Sequence, residues 1–203
     1  MKLNDTQRTA LWAGVAVLTV GVAALVWWIV NSRRKYNGLV VIGNTASSAT
    51  VTNQTTNDMA TTAQQQFNNM SLPRGYRNNN PLNVRKNAAN AWKGKVVPGT
   101  DSAFEQFITM AYGYRCALYL LRKYISQGHN TIRKIITKWA PPSENNTTGY
   151  INNVATRTGI SADTVIDRND REKLCKIAWA MAWVENGTPP ASMDDIYAGW
   201  ALL

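Results

Sequence analysis

The chain has 203 residues, with 22 Lys or Arg against 12 Asp or Glu and a formal net charge of +10. That length has room for one soluble domain beside a short anchor or linker. The charge excludes an acidic surface and suits an anionic neighbour: phospholipid, nucleic acid or the acidic polymers of a bacterial wall. One histidine, His129, and two distant cysteines, Cys116 and Cys175, exclude a zinc set with ligand spacing, and no cofactor is expected. Both cysteines sit among apolar helical residues and read as core, with a single disulfide the alternative if the domain lies outside the cytoplasm.

In chain order, the first element is a membrane anchor over residues 1–35. Residues 9–32 carry no charge, and Leu11–Val30 is apolar except for Thr19. At ~1.5 Å per residue this run makes ~30 Å of helix, the thickness of a bilayer's hydrocarbon core. Trp12 at one end and Trp27 and Trp28 at the other suit the headgroup region, and Arg33, Arg34 and Lys35 stop the run. A cleaved signal peptide would have a shorter apolar region followed by a small-residue cleavage site, not Asn-Ser-Arg-Arg-Lys. Lys2 and Arg8 balance the later cations too closely to assign the side of the membrane.

Residues 36–73 read as a flexible linker. Asp58 is their only charge, and Asn, Thr, Ser, Ala and Gln dominate, leaving too little apolar surface to offset the entropy of ordering.

The domain, residues 74–203, opens with the loop-forming run RGYRNNNPLNVR, and DSAFEQFI follows as a short extended stretch. Helices then dominate. Tyr114, Ala117, Leu118, Leu121 and Ile125 share one face, closed by Gly128. Asn130 or Thr131 caps a second helix bearing Ile132, Ile135, Ile136 and Trp139, ended by Pro141 and Pro142. A third carries Tyr150, Ile151 and Val154 up to Gly159, and a fourth runs from Asp170 through Leu174, Ile177, Ala178 and Met181 to Gly187. Ser192 and Asp195 form a capping box for a final turn through Tyr197. The fold class is mainly α, with a small irregular β element (α+β).

Elimination narrows the chemistry. There is no phosphate loop and no Gly-x-Ser-x-Gly elbow, and neither cysteine has the exposed, electropositive setting of a thiolate nucleophile. The carboxylates flanked by apolar or aromatic residues are Asp101, Glu105, Glu144 and Glu185. A carboxyl in an apolar setting, with aromatic surfaces nearby, is the equipment of glycosidic bond cleavage. Trp92, Trp139, Trp179, Trp183, Trp200, Tyr112 and Tyr150 are the available aromatics, most of them expected in the core.

The runs RGYRNNNPLNVR, Trp92-Lys93-Gly94, AFEQF, AYGYRCALYLL, TIRKIITKWAPPSENNTTGYI and VENG resemble a phage and prophage domain family that opens RGxRNNNPxN. That family is met in virion proteins, notably structural proteins of tailless phages with an internal membrane. More distantly, NNPLNVR resembles the NNLFGIK region of flagellar-type glucosaminidases, and GYRCALYLLRKY…TGYI the later helices of lytic transglycosylases. The resemblance implies a lysozyme-like fold and places substrate contacts on Asn78, Asn79, Asn80, Asn83, Trp92, Gln106 and Tyr150. It implies as partners a viral internal or host inner membrane, peptidoglycan and capsid proteins, ahead of nucleic acid.

One departure stands out. In those enzymes a helix ending in the catalytic glutamate precedes the asparagine-rich segment, whereas residues 60–73 here hold no carboxylate. WVENG, ending at Gly187, resembles the LESG helix end that holds that glutamate, which implies a circular permutation with Glu185 as the acid. Independently of the resemblance, the negative end of the helix dipole and the apolar run before Glu185 disfavour its ionised form, as an acid catalyst requires. Glu144, in a loop before a helix, is expected either to cap that helix or to act as the second catalytic carboxylate. Glu105 reads as solvent-facing between Phe104 and Phe107. Two classes follow: a wall-cleaving virion enzyme, which the carboxylates favour, and a structural virion protein that binds glycan, capsid or nucleic acid without cutting.

Overall fold

The computed structural model describes residues 58, 59 and 61–203. The expected membrane helix at Leu11–Val30 and most of the expected linker lie outside the described residues. Among the described residues no helix is long and apolar enough to cross a membrane.

The architecture is mainly α. After a helical stretch at residues 61–67 come α1 (Arg74–Arg77), α2 (Met110–Ser126), α3 (Ile132–Trp139), α4 (Thr147–Thr158), α5 (Arg171–Asn186) and α6 (Asp194–Ala201). The caps explain the boundaries. The side chains of Thr109, Thr131, Asn146 and Asp170 each accept a backbone N–H of the first turn of α2, α3, α4 and α5. Gly159 and Gly187 end α4 and α5 in the left-handed conformation. The expected capping box at α6 does not form. Its N-cap is Met193, Ser192 Oγ accepts instead from Asp194 N at 3.1 Å, and the helix continues past Tyr197 to Ala201.

The β element consists of two isolated antiparallel bridges in the long connection before α2, Arg85 with Phe104 and Lys95 with Phe107. The residues just before α1, expected as disordered linker, are an ordered lead-in. Ala63 and Phe67, four apart and so on one helical face, are buried, and Gln66 Nε2 donates to the Tyr76 carbonyl at 2.8 Å and Asn79 Oδ1 at 2.9 Å. The polar composition concealed these two apolar positions.

α2 packs on α6, α5 and α3, and α5 packs in turn on α4, α6 and α1. The main core gathers Tyr76, Leu82, Tyr114, Leu118, Ile136, Val154, Leu174, Ile177 and Met181 among others. A smaller core of Val84, Phe107 and Cys116 lies under the bridges. Trp139, the last residue of α3, packs against both.

Gly113 lets α2 close onto the asparagine loop, since a Cβ there would stand 1.9 Å from the Asn79 carbonyl oxygen. Gly113→Ala must push backbone away from backbone, and we expect a loss of about 1–3 kcal/mol by denaturant unfolding. A neutral result would mean that loop and helix are not in this contact.

Candidate functional site

The asparagine loop is built mostly from its own side chains. Asn80, fully buried, donates from Nδ2 to the carbonyls of Val84 and Glu105, both at 2.9 Å, and accepts Val84 N–H on Oδ1. Asn79 donates to the Phe107 carbonyl at 3.0 Å. Asn78 accepts from Gln106 Nε2 on Oδ1 and donates to Asp101 Oδ2, while Gln106 Oε1 accepts Thr100 N–H at 2.6 Å. Asn78, Asn79, Asn80 and Gln106 are therefore interior scaffold, supplying hydrogen bonds that a regular sheet would take from backbone.

Two carboxylates complete that scaffold. Glu105, 1% exposed rather than solvent-facing, takes Lys95 Nζ at 3.0 Å and Asn87 N–H at 2.9 Å. Asp101 takes both ends of the Arg74 guanidinium, at 2.8 and 2.7 Å. Burial alone would raise the Asp101 pKa. The Arg74 hydrogen bonds, with those of Ala103 N–H, Asn78 and Phe104 N–H, override it and hold the carboxyl well below the usual carboxylate range.

Asn83 differs from its neighbours. With a φ of +51° it turns its side chain toward the end of α5, where Nδ2 donates to Glu185 Oε2 at 3.1 Å. The other carboxyl oxygen, Oε1, accepts from Trp139 Nε1 and from the Tyr150 hydroxyl, each at 3.0 Å. Burial and the adjacent Glu185 carboxylate push the Tyr150 hydroxyl well above the usual phenol range, so it stays a donor. The next residue, Asn186, donates to the Pro81 carbonyl at 2.8 Å, a second stitch between α5 and the loop.

This constellation borders an open groove of about 600 Å³. Asn83, Trp92, Glu144 and Glu185, of the predicted site residues, line it, together with Arg85, Phe104, Tyr124 and Trp139. Tyr150 reaches the groove only through its hydroxyl on Glu185. Glu144 does not cap α4. Asn146 does, accepting Gly149 N–H at 2.9 Å, and Glu144 stands exposed on the preceding loop. Sequence reasoning missed Arg85, Phe104 and Tyr124. Of these only Arg85, a cation two positions after Asn83, carried a local signal.

Thiolate and metal chemistry are not assembled among the described residues. Cys116 and Cys175 are both free thiols, and burial pushes them up to about 12 and about 11, so neither is a thiolate near neutrality. Among the described residues no group of His, Cys, Asp and Glu is placed to hold a metal ion. A second cavity of about 570 Å³ lies beside residues 62–66, Tyr114 and Asp195, and Asn79 alone of the predicted site residues borders it.

No family model matches the chain. Over 130 residues it is 39% identical to Protein P5 of Pseudoalteromonas phage PM2, a match covering 63% of this chain and 79% of that protein.

The Asp101 geometry carries a pH dependence. A folded pKa below the unfolded value of about 3.9 gives stability that is full above that value and drains as pH falls through it toward the folded one. Asp101→Asn should flatten the loss of thermal stability below about pH 4 relative to the unmodified protein. Identical acid profiles would show that Asp101 is not held as described.

Proposed function

The chain belongs to the family of Protein P5 of Pseudoalteromonas phage PM2, and we propose that it is a phage virion protein whose domain cuts the glycan strands of the bacterial wall. The likeness of RGYRNNNPLNVR to a virion domain family supports the virion role, and the apolar run Leu11–Val30 supports attachment to a membrane. Acting from a membrane, such a domain would open the wall locally during entry.

The observation that carries the enzymatic reading is the asymmetric holding of Glu185. Oε1 is occupied by the Trp139 N–H, which can only donate, and by the Tyr150 hydroxyl. A proton on this carboxyl therefore belongs on Oε2, the oxygen beside Asn83 in the groove. The Asn83 amide can serve both protonation states, because its Oδ1 is buried without a partner and an amide flip would bring that acceptor to Oε2. Glu185 then gives its proton to the glycosidic oxygen as the C1–O bond breaks. The exposed Glu144 carboxylate offers negative charge to the cation developing at C1. C1 is captured by water or by the sugar's own C6 hydroxyl, and the proton released restores the acid.

A second reading has one observation in its favour. Three donors on one carboxylate also suit a purely structural ion, in a virion protein that binds glycan or capsid without cutting. Glu185→Gln separates the two. As an acid, its loss should abolish the clearing of purified peptidoglycan, by at least about a hundredfold, with the fold retained. A wild type that clears nothing, and a variant whose only change is a lower melting temperature, would establish the structural reading.

A further inference from the structure

The groove holds a cation that nothing else in the domain uses. Lys86, which also lines it, donates Nζ to the carbonyls of Gly99 and Asp101, at 3.2 and 2.8 Å. Arg74, nearby, is matched by Asp101. Arg85 is exposed, lines the groove, and among the described residues has neither an ion pair nor a side-chain hydrogen bond.

Arg85 is nevertheless held. Its guanidinium carbon lies 4.8 Å from the centroid of the Phe104 ring, and its backbone bridges Phe104. The Arg74 guanidinium lies 4.6 Å from the same ring, so the aromatic orders two cations of which only one is neutralised. Contact with the ring restricts the free guanidinium before any ligand arrives, which lowers the entropic cost of binding. What remains is a planar fork of donors bordering an open groove, and its complement is a planar, bidentate anion, a carboxylate.

We propose that Arg85 makes this groove selective for glycans whose sugars carry carboxylate groups over neutral glycans. The inference rests on the reading of the groove as a glycan site and adds the class of substituent it recognises. Wall glycans carry such groups on the peptide stems of alternate sugars, and on the lactyl ether where a stem is absent, whereas a plain N-acetylglucosamine polymer carries none.

The test uses full-length protein and purified sacculi free of phosphate polymers, either native or with their carboxylates converted to methylamides. Binding is read by co-sedimentation and cutting by release of soluble glycan. On native sacculi Arg85→Gln should bind and cut about tenfold less well, the factor expected for losing one charge-assisted pair. Blocking the carboxylates should cost the wild type the same factor and Arg85→Gln nothing more. Arg85→Lys, which keeps the charge without the fork, should fall between, and Arg168→Gln, removing an exposed charge outside the groove, should behave as wild type. Should Arg85→Gln fail to fold, the wild type's response to blocking decides alone. An equal loss for Arg85→Gln on both kinds of sacculi, or no loss on either, overturns the proposal. Arg85-dependent binding without any cutting keeps it and removes the enzymatic reading. Wild-type protein that binds neither kind removes both.

Discussion

At the end of α5 a single carboxylate gathers three separate parts of the chain. Glu185 accepts from Trp139 at the end of α3, Tyr150 in α4 and Asn83 in the asparagine loop. A glutamate in the last turn of a helix is unfavourable by itself, because it meets the negative end of the dipole and the unpaired carbonyls. Hydrogen bonds from three donors offset that conflict and convert it into a junction. Trp139 packs against both hydrophobic cores, so the donor that fixes Oε1 is itself fixed by packing. Asn186 donating to the Pro81 carbonyl holds the same helix end onto the loop, and Tyr76 Oη donating to the Thr188 carbonyl ties the residues just after it to α1.

The asparagine run divides its labour by depth. Asn78, Asn79 and Asn80 replace sheet hydrogen bonds in a region that has only two β bridges, and they position Asp101, Gln106 and the backbone around Phe107. Asn83 is left to face the groove. Asn79 and Asn83 both adopt a φ of +51°, a conformation asparagine tolerates better than most residues, which gives the loop its two changes of direction. Gly75, in α1, leaves room for the amide oxygens of Asn83 and Asn186, which would lie 2.9 and 2.4 Å from a Cβ there.

Much of this was legible in the sequence, and the reasons are local. α3, α4 and α5 follow from apolar spacing and from the caps at Thr131, Asp170, Gly159 and Gly187, all of which act within a few residues. The meeting of Glu185 with Asn83 was anticipated from the likeness of WVENG to a catalytic helix end, a relation that no periodicity contains. The larger errors concern contacts between distant segments. Nothing in RNNNP tells which amides turn inward, and Glu105 looked solvated because its half-buried partner, Lys95, comes from another part of the loop. Ser192 and Glu144 lost their expected capping roles to neighbours one or two positions on, a shift that pattern reading does not resolve. The lead-in at residues 61–67 was hidden by composition, since two apolar residues in a polar run pack only when a domain is there to receive them.

The most direct measurement of the central claim is mass spectrometry of the products released when the full-length protein is incubated with purified sacculi. A proton delivered from Glu185 Oε2 to a glycosidic oxygen predicts fragments cut between sugars, each ending in a reducing or an anhydro sugar and retaining intact peptide stems. Fragments cut within the peptide stems, or intact strands after prolonged incubation with protein that demonstrably binds them, would contradict it.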